Sequence, residues 1–133
     1  MRVHRILVVD DDPACLRMCC RCLDQNGFSV TSATSGPEAL AAVRAQPPAL
    51  ILLDVNLGGM SGIAVYRALR RSSATSSIPV ILMTGLVGPD DLLDCARNEL
   101  GCGPIWRKPG TLSSLLDHIR RALSETTTRS SKS

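Results

Sequence analysis

The chain has 133 residues, 44% hydrophobic and 20% charged, with a formal net charge of +3, which fits one globular domain with a full core and not a disordered segment. Arg129 and Lys132 lie near the C-terminus, so the body is close to neutral with dispersed arginines, and the charge gives no ground for nucleic-acid binding. No apolar run reaches membrane-spanning length, and the stretch after the basic residues 1–5 stops at Asp10, too early for a signal peptide, so a cytoplasmic protein is expected.

Short apolar runs alternate with helical patterns along the chain. Strands are predicted at residues 5–10, 28–33, 50–54, 78–83 and 104–107. The runs at 6–9, 50–53 and 80–83 are unbroken, as expected of central parallel strands buried on both faces. The first helix takes Asp11 or Asp12 as N-cap and Pro13 in its first turn, and stops at Gly27. The second starts at Ser35, the third after Ser61 and Gly62, and the fourth after Gly88 and Pro89. The fifth starts near Thr111, with Leu112, Leu115, Leu116, Ile119 and Leu123 on one face. Five β/α repeats imply a doubly wound α/β fold, a three-layer α/β/α sandwich on a parallel sheet. The domain is predicted to span residues 1–125, with the Ser/Thr-rich residues 126–133 as a flexible tail.

Six cysteines invite a metal or disulfide reading. Cys15, Cys19 and Cys22 share a helix face, but a fourth ligand and a knuckle turn are missing, so these residues read as small buried hydrophobes. Arg70 and Arg71 fall at a helix C-terminus, where the dipole favours cations.

Polar groups mark the C-terminal ends of the apolar strands. Asp10, Asp11 and Asp12 follow the first, Asp54 ends the third, Thr84 follows the fourth, and Lys108 and Pro109 follow the fifth. In an open α/β sheet these ends meet in one crevice. Converging carboxylates repel one another, and a divalent cation removes the conflict. Magnesium suits a site of few carboxylates, retained water and an incoming phosphate. Zinc would want His or Cys, and His4 and His118 fall outside the site. A transferring phosphoryl group spreads charge over its equatorial oxygens, which a metal, an ammonium and a hydroxyl can neutralise. Asp54 then reads as the attacking carboxylate and an aspartyl phosphate as the product.

This set of residues resembles the receiver domain of two-component response regulators, the CheY-like type, over about residues 5–123. The resemblance implies a flavodoxin-like, five-stranded parallel sheet of order 2-1-3-4-5. It implies Asp54 as phosphoacceptor, taking a phosphoryl group from a sensor histidine kinase or a phosphotransfer protein. It implies magnesium held by Asp10, Asp11, Asp54 and the Asn56 backbone carbonyl, with Asp10 acting largely through water. Thr84 and Lys108 would contact the phosphoryl oxygens, Asp12 would cap the first helix, and Pro109 would follow a cis peptide bond. The product is a phosphoprotein whose altered contacts carry the signal, not a conventional enzyme. A downstream protein would read the state on the fourth helix, fifth strand and fifth helix, and two copies could pair weakly.

Some positions depart from the family pattern. Ile105 stands at the switch position, where the family carries an aromatic, and Gly58 stands where it carries Pro. Leu86 cannot hold an attacking water whereas the Asn56 amide can, so moderate or slow hydrolysis of the phosphoryl group is expected. Two other readings compete. The absent aromatic fits a receiver-fold scaffold that binds partners without phosphorylation. The run into Asp10-Asp11-Asp12 also fits a haloacid-dehalogenase-like phosphatase with Asp10 as nucleophile and Asp12 as acid/base, although Asp54 would then go unexplained.

Overall fold

The computed structural model describes residues 4–57, 59, 61–84, 105–107 and 112–132, with side chains at 4–57, 59, 61–83 and 113–124. In chain order the elements are β1 (Arg5–Val9), α1 (Pro13–Gln25), β2 (Ser29–Ala33), α2 (Gly36–Ala45), β3 (Leu50–Asp54), α3 (Gly62–Arg71), β4 (Val80–Thr84), β5 (Ile105–Arg107) and a C-terminal helix (Leu112–Lys132). The fourth helix expected after Gly88 and Pro89 lies outside the described residues.

All strand pairs are parallel, in the order β2-β1-β3-β4-β5. Strand side chains alternate between faces, and the central strands divide their apolar residues accordingly. Leu7, Val9, Ile51, Leu53, Val80 and Leu82 pack with Ala39 and Val43 of α2 and with Ile63, Tyr66 and Leu69 of α3. Ile6, Val8, Leu50, Leu52, Ile81 and Met83 pack on the other side with Cys15, Cys19 and Leu23 of α1 and with Leu115 and Ile119 of the C-terminal helix. The sheet is therefore the middle of three layers, which is why these strands lack polar alternation. Each fully buried Leu or Ile contributes roughly 1.5–3 kcal/mol through the hydrophobic effect.

Helix starts follow local chemistry. The carboxylate of Asp12 accepts from the Ala14 amide at 3.1 Å, with Pro13 next in the chain. Ser35 caps α2 through the Glu38 amide and Ser61 caps α3 through the Ile63 amide. Gly27, at φ +87°, carries the chain out of α1 in the left-handed region that glycine alone enters without strain. The C-terminal helix continues to Lys132, through residues 126–132 where composition predicts a flexible tail. Extending a helix already anchored by Leu115 and Ile119 costs only a few tenths of a kcal/mol per Ser or Thr, so composition alone misplaces the helix end.

Two contacts fix the segment between α3 and β4. Thr75, only 7% exposed, donates its hydroxyl to the Leu69 carbonyl at 2.6 Å. The Arg70 guanidinium lies 4.6 Å from the centre of the Tyr66 ring and donates to the Ile78 carbonyl at 2.9 Å. Arg70 is thus a strut for the β4 entry, where helix position alone predicts a cation set only by the dipole. Replacing Thr75 by Val keeps the volume but leaves the Leu69 carbonyl without its hydroxyl donor. A loss of about 1–3 kcal/mol is expected, and urea denaturation of the two proteins measures it.

None of the four described cysteines is in a disulfide, and Cys15, Cys19 and Cys22 are buried. Burial also pushes the Cys20 thiol above its ordinary value. These residues behave as packing groups, as their helical spacing predicts.

Candidate functional site

The register brings the site together. Val9 stands beside Leu53, so Asp10 and Asp54 leave the sheet side by side at the C-terminal ends of neighbouring strands. By alternation both continue the rows that face α1 and the C-terminal helix: Ile6 and Val8 for Asp10, Leu50 and Leu52 for Asp54. Asp11 follows on the connection into α1. Carboxylate oxygens of Asp10, Asp11 and Asp54 all lie within 4.8 Å of one another.

The environments of the three differ. Asp10 is fully buried and Asp54 is 7% exposed, while Asp11 is exposed. One oxygen of Asp10 accepts from the Asp12 amide at 3.0 Å, and one oxygen of Asp54 accepts from the Asn56 amide at 3.0 Å. Both are bonds to the backbone two residues on, the turn that short acidic side chains make readily. They orient the carboxylates but bring no positive charge. Three acidic groups this close, two of them removed from bulk water, are costly unless a cation balances them. Oxygen-only donors suit a hard divalent cation, and no His or Cys belongs to the cluster among the described residues.

Asp12 does not join the cluster. Its carboxylate is the N-cap of α1, so it is committed to the helix and unsuited to serve as the acid/base of a phosphatase.

The loop after β3 is held closely. The Val55 amide donates to the Met83 carbonyl at 2.9 Å, and the Gly62 amide donates to the Val55 carbonyl at 2.9 Å. A side chain at Gly62 would collide with the Asp54 carbonyl oxygen and come within 2.8 Å of the Val55 Cα. The first turn of α3 therefore touches the backbone that presents Asp54. This dependence escaped the sequence reading, in which Gly62 marks only a helix start.

The remaining expected site residues are only partly placed. Thr84 ends β4, beside Arg107 of β5, and Ile105 stands beside Leu82; the side chains of Thr84, Ile105 and Arg107 lie outside the described residues. Lys108, Pro109, Leu86 and Gly58 also lie outside them.

Comparison with known proteins gives a consistent answer. The model of the response regulator receiver domain matches residues 6–120. DNA-binding response regulator MtrA of Mycolicibacterium smegmatis is 38% identical over 120 residues, covering 90% of this chain and 50% of MtrA. Response regulator PleD of Caulobacter vibrioides is 44% identical over 105 residues, covering 79% of this chain and 23% of PleD. The chain thus spans about half the length of MtrA and a smaller part of PleD. Among solved structures, the CheY-like receiver domain protein of Methanospirillum hungatei superposes with a TM-score of 0.86 at 26% identity, covering 96% of this chain and 99% of that one. The receiver domain of a signal transduction histidine kinase from Syntrophus aciditrophicus has a TM-score of 0.84 at 31% identity, with 92% of each chain covered. Fold, acidic cluster and relatives agree: this chain belongs to the response regulator receiver domain family of two-component signalling.

Proposed function

We propose that the chain accepts a phosphoryl group on Asp54, with magnesium, and signals through the resulting change in its protein contacts. The observation that carries this reading is the meeting of Asp10, Asp11 and Asp54 at the C-terminal edge of the sheet. Asp54 is the one of the three that ends a strand and opens into a glycine-containing turn.

The donor is a phosphohistidine of a sensor kinase or phosphotransfer protein. A carboxylate oxygen of Asp54 forms the new P–O bond as the P–N bond breaks, and the imidazole leaves with its electron pair. Asp10, Asp11, Asp54 and the Asn56 carbonyl would hold magnesium, which when bound neutralises part of the charge on the phosphoryl oxygens. Asp10 is the buried member, oriented by the Asp12 amide. Its part is to keep the cation side of the site negative, acting on the metal largely through water. Thr84 and Lys108 contact the phosphoryl oxygens in this reading. The phosphorylated surface is read by a downstream protein on the predicted fourth helix, β5 and the C-terminal helix. The chain contacts no nucleic acid itself and works in the cytoplasm. No described helix is long and apolar enough to cross a membrane.

The test is intact mass after incubation with a small phosphodonor such as acetyl phosphate. A gain of one phosphoryl group is expected with magnesium and none after chelation. Asp10→Asn should retain the fold and weaken the magnesium requirement site, lowering the rate by roughly 10–100-fold. A gain that persists unchanged in excess chelator would overturn the metal assignment.

Phosphoryl lifetime provides a further check. With Leu86 in place of a residue able to hold water, the phosphorylated protein is expected to outlast a few seconds after the donor is removed, and time-resolved mass measurement gives the half-life. Decay within seconds would contradict the role given to this position.

A further inference from the structure

Asn26 and Gly27 close α1 at the opposite end from Asp12, and both are exposed. An asparagine followed by glycine carries its own reagents. The backbone nitrogen of the next residue can attack the side-chain carbonyl carbon, and glycine has no Cβ to hinder that nitrogen. The other asparagines of the chain, Asn56 and Asn98, precede Leu57 and Glu99, whose side chains crowd the nitrogen.

The fold holds the reacting groups apart. The Asn26 side-chain amide donates to the Cys22 carbonyl at 2.7 Å, one turn back in the helix. The Gly27 amide donates to the Asp24 carbonyl at 3.3 Å and the Phe28 amide to the Leu23 carbonyl at 3.1 Å, the paired bonds of a helix end closed by a left-handed glycine. Backbone geometry acts in the same direction. With Asn26 at ψ 18°, the Gly27 nitrogen points to the opposite side of the Cα–C bond from the side chain, whereas ring closure needs the two on one side. These bonds belong to a helix end, where local opening takes far less free energy than global unfolding.

We propose that Asn26 is a deamidation site gated by opening of the last turn of α1, and that the product uncaps the helix. In the open state the Gly27 nitrogen forms a bond to the Asn26 side-chain carbonyl carbon. The bond to Nδ2 breaks, and the proton lost by Gly27 leaves on the ammonia. Water then opens the cyclic imide at either carbonyl, leaving aspartate or isoaspartate, and no further reactant is needed. The new carboxylate has no N–H for the Cys22 carbonyl, and its charge opposes the negative end of the helix dipole. The proposal is independent of the phosphoacceptor reading.

The protein and a synthetic peptide of residues 22–30 are incubated side by side in warm, mildly alkaline buffer, and proteolytic mapping by mass follows each asparagine. Asn26 should convert in the folded protein roughly 10–100-fold more slowly than in the peptide, the cost of breaking its two capping bonds. Asn56 and Asn98 should stay intact over the same time. Urea well below the unfolding midpoint should leave the rate unchanged, since opening one turn exposes little surface. Asn26→Asp should lower the urea midpoint further than Asn26→Ala does, and added salt should narrow the difference. Four results would each overturn the proposal: conversion as fast as in the peptide, none at Asn26 over a time that a hundredfold slower reaction would fill, a rate that climbs with urea in step with global unfolding, or an Asn26→Asp variant as stable as Asn26→Ala.

Discussion

Replacing Asp54 by Asn is expected to abolish the magnesium-dependent gain of a phosphoryl group altogether. The amide oxygen is a poor nucleophile and carries no charge to attract a cation, so both contributions of the residue vanish together. The fold should survive. Asp54 makes its described side-chain bond as an acceptor from the Asn56 amide at 3.0 Å, and an Asn side-chain oxygen can accept the same bond. Removing one of three carboxylates whose oxygens lie within 4.8 Å also relieves repulsion. Without magnesium, that relief by itself favours the variant by something on the order of 1 kcal/mol. Intact mass and urea denaturation in chelator, run on the same two proteins, read the two effects separately. A variant that still gains a phosphoryl group would move the acceptor to another residue. One that loses both phosphorylation and stability would show that Asp54 is needed for the fold instead.

The second large effect is expected at Gly62, which carries no chemistry of its own. Its missing side chain lets the first turn of α3 lie against the carbonyl of Asp54. A Cβ there would come within 2.8 Å of the Val55 Cα and 2.9 Å of the Asp54 carbonyl carbon. These are backbone atoms of a strand end and cannot swing aside as a flexible side chain would. Either α3 or the loop bearing Asp54 must shift, and Gly62→Ala should cost about 1–3 kcal/mol, as overpacking does. Displacing Asp54 by about 1 Å should also slow phosphoryl transfer by roughly 100-fold. Gly59→Ala is the matched control, because among the described residues nothing lies within 4 Å of a Cβ at Gly59. Urea denaturation and the initial rate of mass gain compare the pair. Equal stability and equal rates would mean that the close approach of α3 has no bearing on Asp54.

These two residues also separate what is legible in a sequence from what is not. Asp54 announces itself, since a carboxylate ending an unbroken apolar strand and opening into a glycine-containing turn needs an explanation. Gly62 reads only as a residue after a Ser cap, and its close approach to another strand is a distance between segments that local patterns do not encode. Arg70 shows the same limit. Its place in the last turn of α3 predicts a cation near the dipole, whereas in the structure it stacks on Tyr66 and bonds to the Ile78 carbonyl.

By itself, the sequence determined the strands, the starts of the first three helices and the parallel, doubly wound sheet, because these follow from local rules. Apolar runs unbroken by polar residues demand burial on both faces, and Asp12, Ser35 and Ser61 cap helices through the amides two or three residues on. The order of polar groups at strand ends also carried the family resemblance. Only the tertiary structure decided how these groups meet. The pairing of Val9 with Leu53 places Asp10 beside Asp54, and that register depends on how both faces of β1 and β3 pack against helices distant in sequence. The end of the C-terminal helix was likewise a tertiary matter, because Leu115 and Ile119 anchor it in the core and the turns that follow extend an existing helix, which needs far less favourable sequence than starting one.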